Sequence, residues 1–265
     1  MMMKCRDVMD VMERIAPKRL AEEWDNPGLL VGSPDDEVRR ILVCLDVREE
    51  TVKRAAAEDF QMIVAHHPVI FRGLKKLRTD LPDGRLLGGL LHAGVAVFAA
   101  HTNLDAAEGG VNDVLAARIG LEAGTIAPLG NAESLSESLG RVGKLSEPME
   151  ARAFAAQVKK GLGAKHVRFV SGGARSVKKV GLCSGSGAEF IERAALLGCD
   201  AFVTGDVRYH DAQKAAALGI HVVDAGHFAT EQPVVEILAA RLAEELKGKA
   251  EVVTDDAARD FFEIV

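Results

Sequence analysis

Aromatic residues are scarce: one Trp, one Tyr and ten Phe in 265 residues. The core must therefore be built from Ala, Val, Leu and Ile, as in proteins that layer helices on strands. Cysteine is scarce as well. Cys5, Cys44, Cys183 and Cys199 stand far apart and form no CxxC pair, which reads as reduced core thiols in a cytosolic protein. No apolar run is long enough to cross a bilayer. The longest, Leu86 to Ala100, is broken by Gly88, Gly89, His92 and Gly94. The opening Met1-Met2-Met3-Lys4-Cys5-Arg6-Asp7 lacks the apolar stretch of a signal peptide, so a cytoplasmic protein without membrane contact is expected. Basic residues form no long cluster and the net charge is −6 with histidines neutral. This argues against general nucleic-acid binding and leaves room for a nucleotide pocket.

Apolar residues are abundant instead, at 48%, and their order predicts an α/β protein. Val8, Val11, Met12 and Ile15 are spaced for an amphipathic helix over Arg6 to Glu23. Trp24-Asp25-Asn26-Pro27-Gly28 then reads as a turn and structural corner before a short strand. Strands at Ile41–Leu45, Met62–Ala65 and Val95–Ala100 alternate with helices at Glu49–Glu58 and Leu86–Ala93. The order recurs with strands at Val180–Cys183, Ala201–Thr204 and His221–Asp224 and helices at Ala188–Leu197 and Asp211–Leu218. One offset lays Ile63-Val64-Ala65-His66-His67 on Phe202-Val203-Thr204-Gly205-Asp206. A slightly different one lays His101 on His227 and Asp105 on Glu231. The expectation is an internal duplication: two similar α/β lobes, residues 1–124 and 125–265, their sheets covered by helices and a metal site in the cleft between them. Thr125 to Ser176, with a Gly/Ser-rich stretch, a helix near Ala151–Leu162 and a strand near Val167–Val170, reads as connection plus edge elements.

In open α/β sheets, ligands gather beyond the carboxyl ends of the strands, and the chemically unusual residues fall there. One strand runs into His66-His67-Pro68, another into His101-Thr102-Asn103-Leu104-Asp105, a third into Ala225-Gly226-His227-Phe228-Ala229-Thr230-Glu231. Adjacent histidines on an extended segment point to opposite sides, so His66 and His67 are expected to serve two neighbouring ions. Glu231 is placed in a first helical turn with Thr230 as its cap, where its carboxylate can bridge. One histidine at a strand end is usually a hydrogen-bonded surface group; three strand ends with matching His and carboxylate spacing point to a metal site. Three neutral histidines and two carboxylates leave two divalent ions with a charge of about +2, which attracts an anionic substrate and acidifies water toward about pKa 7. Nitrogen and oxygen donors suit zinc, manganese, iron or cobalt without choosing among them.

These same segments, together with Trp24-Asp25-Asn26-Pro27-Gly28-Leu29 and Thr204-Gly205-Asp206, resemble the GTP cyclohydrolase 1 type 2 homologue family, the Nif-three-like proteins, nearly end to end. The resemblance implies a dinuclear metal centre held by His66, His67, Asp105, His227 and Glu231, a toroidal homohexamer with its sites facing an internal cavity, and the short family form without an inserted domain. Where the family shows Gly-Gly-Ser-Gly, this chain has Cys183-Ser184-Gly185-Ser186-Gly187. That departure weakens a phosphate-loop reading, and turn glycines alone explain the loop.

Two functions follow as expectations. The first is a metal-dependent hydrolase acting on a small anionic or nucleotide substrate, with GTP ring opening and formate release implied by resemblance alone. In it His101 and His210 are the candidate catalytic proton carriers, with His101 also read as a neighbour of the ions. Asp206 reads either as a substrate or acid–base group or as a helix cap, and Asp46 as a crevice residue or a cap. The second is a non-catalytic metal-binding or regulatory protein that works through a protein partner.

Overall fold

The computed structural model describes residues 2–130 and 138–265. In chain order the strands are β1 (Gly28–Val31), β2 (Arg40–Cys44), β3 (Met62–Ala65), β4 (Ala96–Ala99), β5 (Ala127–Pro128), β6 (Arg141–Met149), β7 (Arg168–Val170), β8 (Val177–Leu182), β9 (Ala201–Thr204), β10 (His221–Asp224) and β11 (Glu251–Thr254). The helices are α1 (Cys5–Ile15), α2 (Glu49–Ala57), α3 (Pro82–Ala93), α4 (Thr102–Ala106), α5 (Val111–Arg118), α6 (Ala151–Gly161), α7 (Ile191–Leu196), α8 (Tyr209–Leu218), α9 (His227–Glu231) and α10 (Pro233–Leu246). They divide into two compact units, Met1–Leu104 with Val235–Phe261, and Asp105–Val234 with Phe262–Val265.

The first unit holds a sheet of order β1-β4-β3-β2-β11. Strands β4, β3, β2 and β11 are parallel and β1 is antiparallel to β4. A parallel strand covered on both faces shows a continuous apolar run, not alternation. Accordingly Ile41 to Cys44 and Met62 to Ala65 are all buried. Leu42, Cys44, Ile63 and Ala65 pack with Val52 and Ala55 of α2 and Leu87 and Leu90 of α3. The first helix ends at Ile15, not near Glu23, because Pro17 has no N–H to continue it; a single 3-10 turn, Lys18–Leu20, follows. At the other end, α3 begins earlier than the apolar spacing suggests, with Pro82 in its first turn.

The second unit repeats the plan. Its sheet runs β5-β6-β8-β9-β10-β7, with β8, β9 and β10 parallel and β7 antiparallel to β10. Thus β7-β10-β9-β8 matches β1-β4-β3-β2 strand for strand. The local turns match too: Gly94 between α3 and β4 and Gly219 between α8 and β10 both take left-handed backbone, at φ 66° and 70°. The alternating side chains of β9 divide the core: Val203 packs with Leu115, Phe154 and Val158, while Phe202 packs with Ile191, Ala194 and Ala215. Helices therefore cover both faces.

Two departures concern the middle and the end of the chain. The nine-residue β6 is not an edge element, since it pairs with β5 on one side and β8 on the other. Part of the polar stretch before it, residues 131–137, lies outside the described residues. The last strand, β11, joins the first sheet beside β2, so the first unit is completed by residues that a continuous split at 124/125 assigns to the second lobe. All four cysteines are buried free thiols. Burial, helped by Asp36, pushes the Cys5 thiol up to about 11, and burial pushes Cys199 to about 11. Among the described residues no helix is long and apolar enough to cross a membrane.

Candidate metal centre

In the first unit the register aligns Cys44, Ala65 and Ala99 in one row across β2, β3 and β4. The next residues of each strand therefore emerge together at the carboxyl end of the sheet. The ladder runs on briefly, His66 N–H donating to Cys44 O (3.1 Å) and His67 N–H to Leu45 O (2.9 Å). His66, His67 and His101 end up as a cluster, with ring centroids 4.9, 5.3 and 5.6 Å apart. Each offers one nitrogen within 4.8 Å of the others. The two rings turn their Nδ1 atoms to different neighbours, His66 to the backbone of Ala100 and His67 to the side chain of Asp46.

Each ring is fixed from behind. His66 is fully buried and its Nδ1–H donates to Ala100 O at 2.8 Å. His67 Nδ1–H donates to Asp46 (2.7 Å) and His101 Nδ1–H to Asp25 (2.8 Å). A carbonyl or carboxylate can only accept, so Nδ1 carries the proton and Nε2 the lone pair in each neutral ring. Asp25 also accepts from the Thr102 N–H at 3.0 Å. Burial opposes its ionisation, but the hydrogen bonds from His101 and Thr102 outweigh it and lower the carboxyl from 3.8 to about 2. It stays an anion through the physiological range.

The second unit assembles its own donors. A carboxylate oxygen of Asp105 and one of Glu231 lie within 4.8 Å, and His227 Nε2 is 3.1 Å from Glu231 Oε2. Here too the ring is fixed: His227 Nδ1–H donates to Asp206 at 2.8 Å. Asp206 sits just after β9 at φ 54°. The cap of α8 is Arg208, so Asp206 does not cap that helix; it orients His227. Asp105 accepts from Ser184 Oγ–H (3.1 Å), and Asn112 ties Ser184 to the Asp105 backbone.

Glycine makes this packing possible. A Cβ on Gly185 would lie 2.2 Å from Glu231 Oε1 and 3.2 Å from His227 Nε2, and one on Gly205 would lie 2.6 Å from the His227 backbone nitrogen. The loop Ser184–Gly187 is a cradle for these side chains. Three of its N–H groups are engaged by the protein: Ser184 to Asn112, Gly185 to Thr230 Oγ1 (3.0 Å) and Gly187 to Thr204 Oγ1 (2.9 Å). Thr230 serves this loop and does not cap a helix, and Glu231 closes the short α9 where a first-turn position was expected.

His210 stands exposed in the first turn of α8, hydrogen-bonded to Gln213 at 3.4 Å and in ring contact with Tyr209. The residues that sequence reasoning undervalued are Asp25 and Asp46, the carboxylates behind His101 and His67. A carboxylate directly after a strand was the available signal for Asp46. Asp25 lies 76 residues from its partner.

The model of Duf34/NIF3 (NGG1p interacting factor 3) matches residues 3–260. The GTP cyclohydrolase 1 type 2 homolog of Clostridium perfringens is 34% identical over 99% of this chain and 100% of its own length. That of Streptomyces coelicolor is 34% identical over 92% of this chain and 87% of its own. The crystal structure of a Bacillus cereus protein related to NIF3 is similar over the full length of both chains, with TM-score 0.92 and 26% identity.

Proposed function

The chain belongs to the Duf34/NIF3 family, and from that premise we propose that it is a metal-dependent hydrolase that holds two divalent ions through His66, His67, Asp105, His227 and Glu231. His101 joins them as a ligand in this reading, because its ring belongs to the same cluster as His66 and His67. The observation that carries the proposal is the shared pose of four histidines. His66, His67, His101 and His227 each donate Nδ1–H to an oxygen acceptor, the arrangement that fixes the tautomer and strengthens Nε2 as a ligand.

Bound divalent ions supply Lewis acidity and bring the pKa of a coordinated water toward about 7. The protein's part is to hold and orient. Asp25, Asp46 and Asp206 keep their imidazoles in one tautomer, and Glu231, 3% exposed, contributes an anionic donor withdrawn from bulk solvent. His210, exposed to solvent, is the group left to move protons. The donor set without thiolate fits zinc, manganese, iron or cobalt. A small anionic substrate complements the charge of such a centre, and GTP ring opening with formate release is the specific reaction that the relatives' name suggests. Homohexameric assembly and a cytoplasmic setting belong to the same reading.

The test is metal content of the purified protein and of a His227→Ala, Glu231→Ala variant, followed by formate release from GTP. About two ions per chain, lost in the variant, with metal-dependent formate, is the expected result. Two ions without turnover of GTP or of other phosphoesters would transfer the centre to a binding protein that acts through a partner. Absence of stoichiometric metal after reconstitution would sink the proposal.

A further inference from the structure

Trp24 is the single tryptophan of the chain, and it is not used to build the core. Trp24 is 58% exposed and Phe71 41% exposed. The two rings meet edge to face, with centroids 5.9 Å apart and planes at 68°. Both also stand against His101, at 6.2 Å and 74° for Trp24 and 6.1 Å and 85° for Phe71. Three rings at steep mutual angles form a corner with open aromatic faces, directly beside the histidine cluster. The corner is pre-set by its backbone: Asn26 Nδ2–H donates to Ile70 O at 2.6 Å, joining the two loops, and Asp25 accepts from His101 and Thr102.

We propose that Trp24 and Phe71 bind the planar heteroaromatic ring of a substrate and position it next to His101. The inference rests on the metal-centre reading for its direction, since that reading makes His101 a ligand. Exposed aromatic faces are sequence-tolerant stacking surfaces for heteroaromatic rings, which all present a π-face. A tryptophan placed only to brace a turn would bury its ring; this one offers most of it to solvent while its neighbours Asp25 and Asn26 do the bracing. The perpendicular walls favour a small flat ligand, which stacks on one ring and meets the edge of the other, over the flat contact of a protein interface.

Tryptophan emission reports on Trp24 alone. The protein, metal-free and zinc-loaded, is titrated with guanosine monophosphate and, as a non-aromatic control of like charge, with ribose 5-phosphate, while zinc content is measured separately. Saturable quenching by the nucleotide and none by the sugar phosphate is expected. In equilibrium dialysis, Phe71→Ala and Trp24→Ala each weaken nucleotide binding by about tenfold, Trp24→Phe restores part of it, and zinc content is unchanged in all three. No saturable response, an equal response to both ligands, or emission that changes only with protein concentration, as self-association over these rings would cause, overturns the proposal. Quenching in a protein that takes up neither zinc nor manganese, iron or cobalt leaves the stacking site standing and refutes the metal reading; metal uptake without quenching does the reverse.

Discussion

The carboxylate of Asp46 touches no candidate reaction centre, yet it determines which nitrogen of His67 carries the proton. Its side chain is one-third exposed, and so its removal costs the fold little. Asp46→Ala is expected to lower metal affinity about 10- to 100-fold, measured by competition with a chromogenic chelator, with an unchanged circular dichroism spectrum. Equal affinity in the variant would mean that His67 is not a ligand. The candidate ligand histidines themselves are legible in the sequence, because each follows a buried strand in the place where open sheets expose side chains. Their pairing with particular carboxylates is not. His101 finds Asp25 through a turn distant in the chain, and His227 finds Asp206 through a left-handed residue whose backbone angle no composition rule announces. In the sequence Gly185 reads as a turn or phosphate-loop glycine; its lack of a Cβ beside Glu231 is visible only in three dimensions.

Among the elements, β6 carries the least expected residue. Arg141, fully buried, donates Nε–H to Asp113 (2.6 Å), Nη1–H to Ser138 O (2.6 Å) and Nη2–H to Ala106 O (3.0 Å). It thereby ties the start of β6 to the chain just after Asp105. Breaking a buried pair leaves a charge and several carbonyl groups without their donor, so Arg141→Met is expected to destabilise by about 3–5 kcal/mol in urea unfolding. Arg141→Lys should not rescue it, because an ammonium cannot match the guanidinium's forked donors. A loss below about 1 kcal/mol would show that the network contributes little. The flanking polar composition made this stretch read as connection and edge. Strand pairing, set by long-range partners, made it the inner neighbour of β8.

At the scale of the whole molecule, duplication is the organising fact, and the C-terminal strand breaks its simple form. Asp255, which follows β11, is buried and accepts from Thr51 Oγ1 (2.8 Å) and Arg54 Nη1 (3.3 Å) of α2. Ending the chain at Ala250, just before β11, should therefore expose the edge of β2 and cost at least one broken buried pair, about 3–5 kcal/mol. A lower urea midpoint and a tendency to aggregate are the expected readouts; an unchanged midpoint would remove β11 from the first unit's structural core.

The sequence by itself determined the layered α/β class, the repeated order of strands and helices, and the strand ends that carry the candidate metal ligands, because these follow from local periodicity and from where apolar runs stop. Only the tertiary structure decided that β11 completes the first sheet, that β6 is interior, and that Asp25, Asp46 and Asp206 stand behind the histidines. Those are pairings between residues far apart in the chain, and they are fixed by sheet register and by the close approach of loops, which no local pattern encodes.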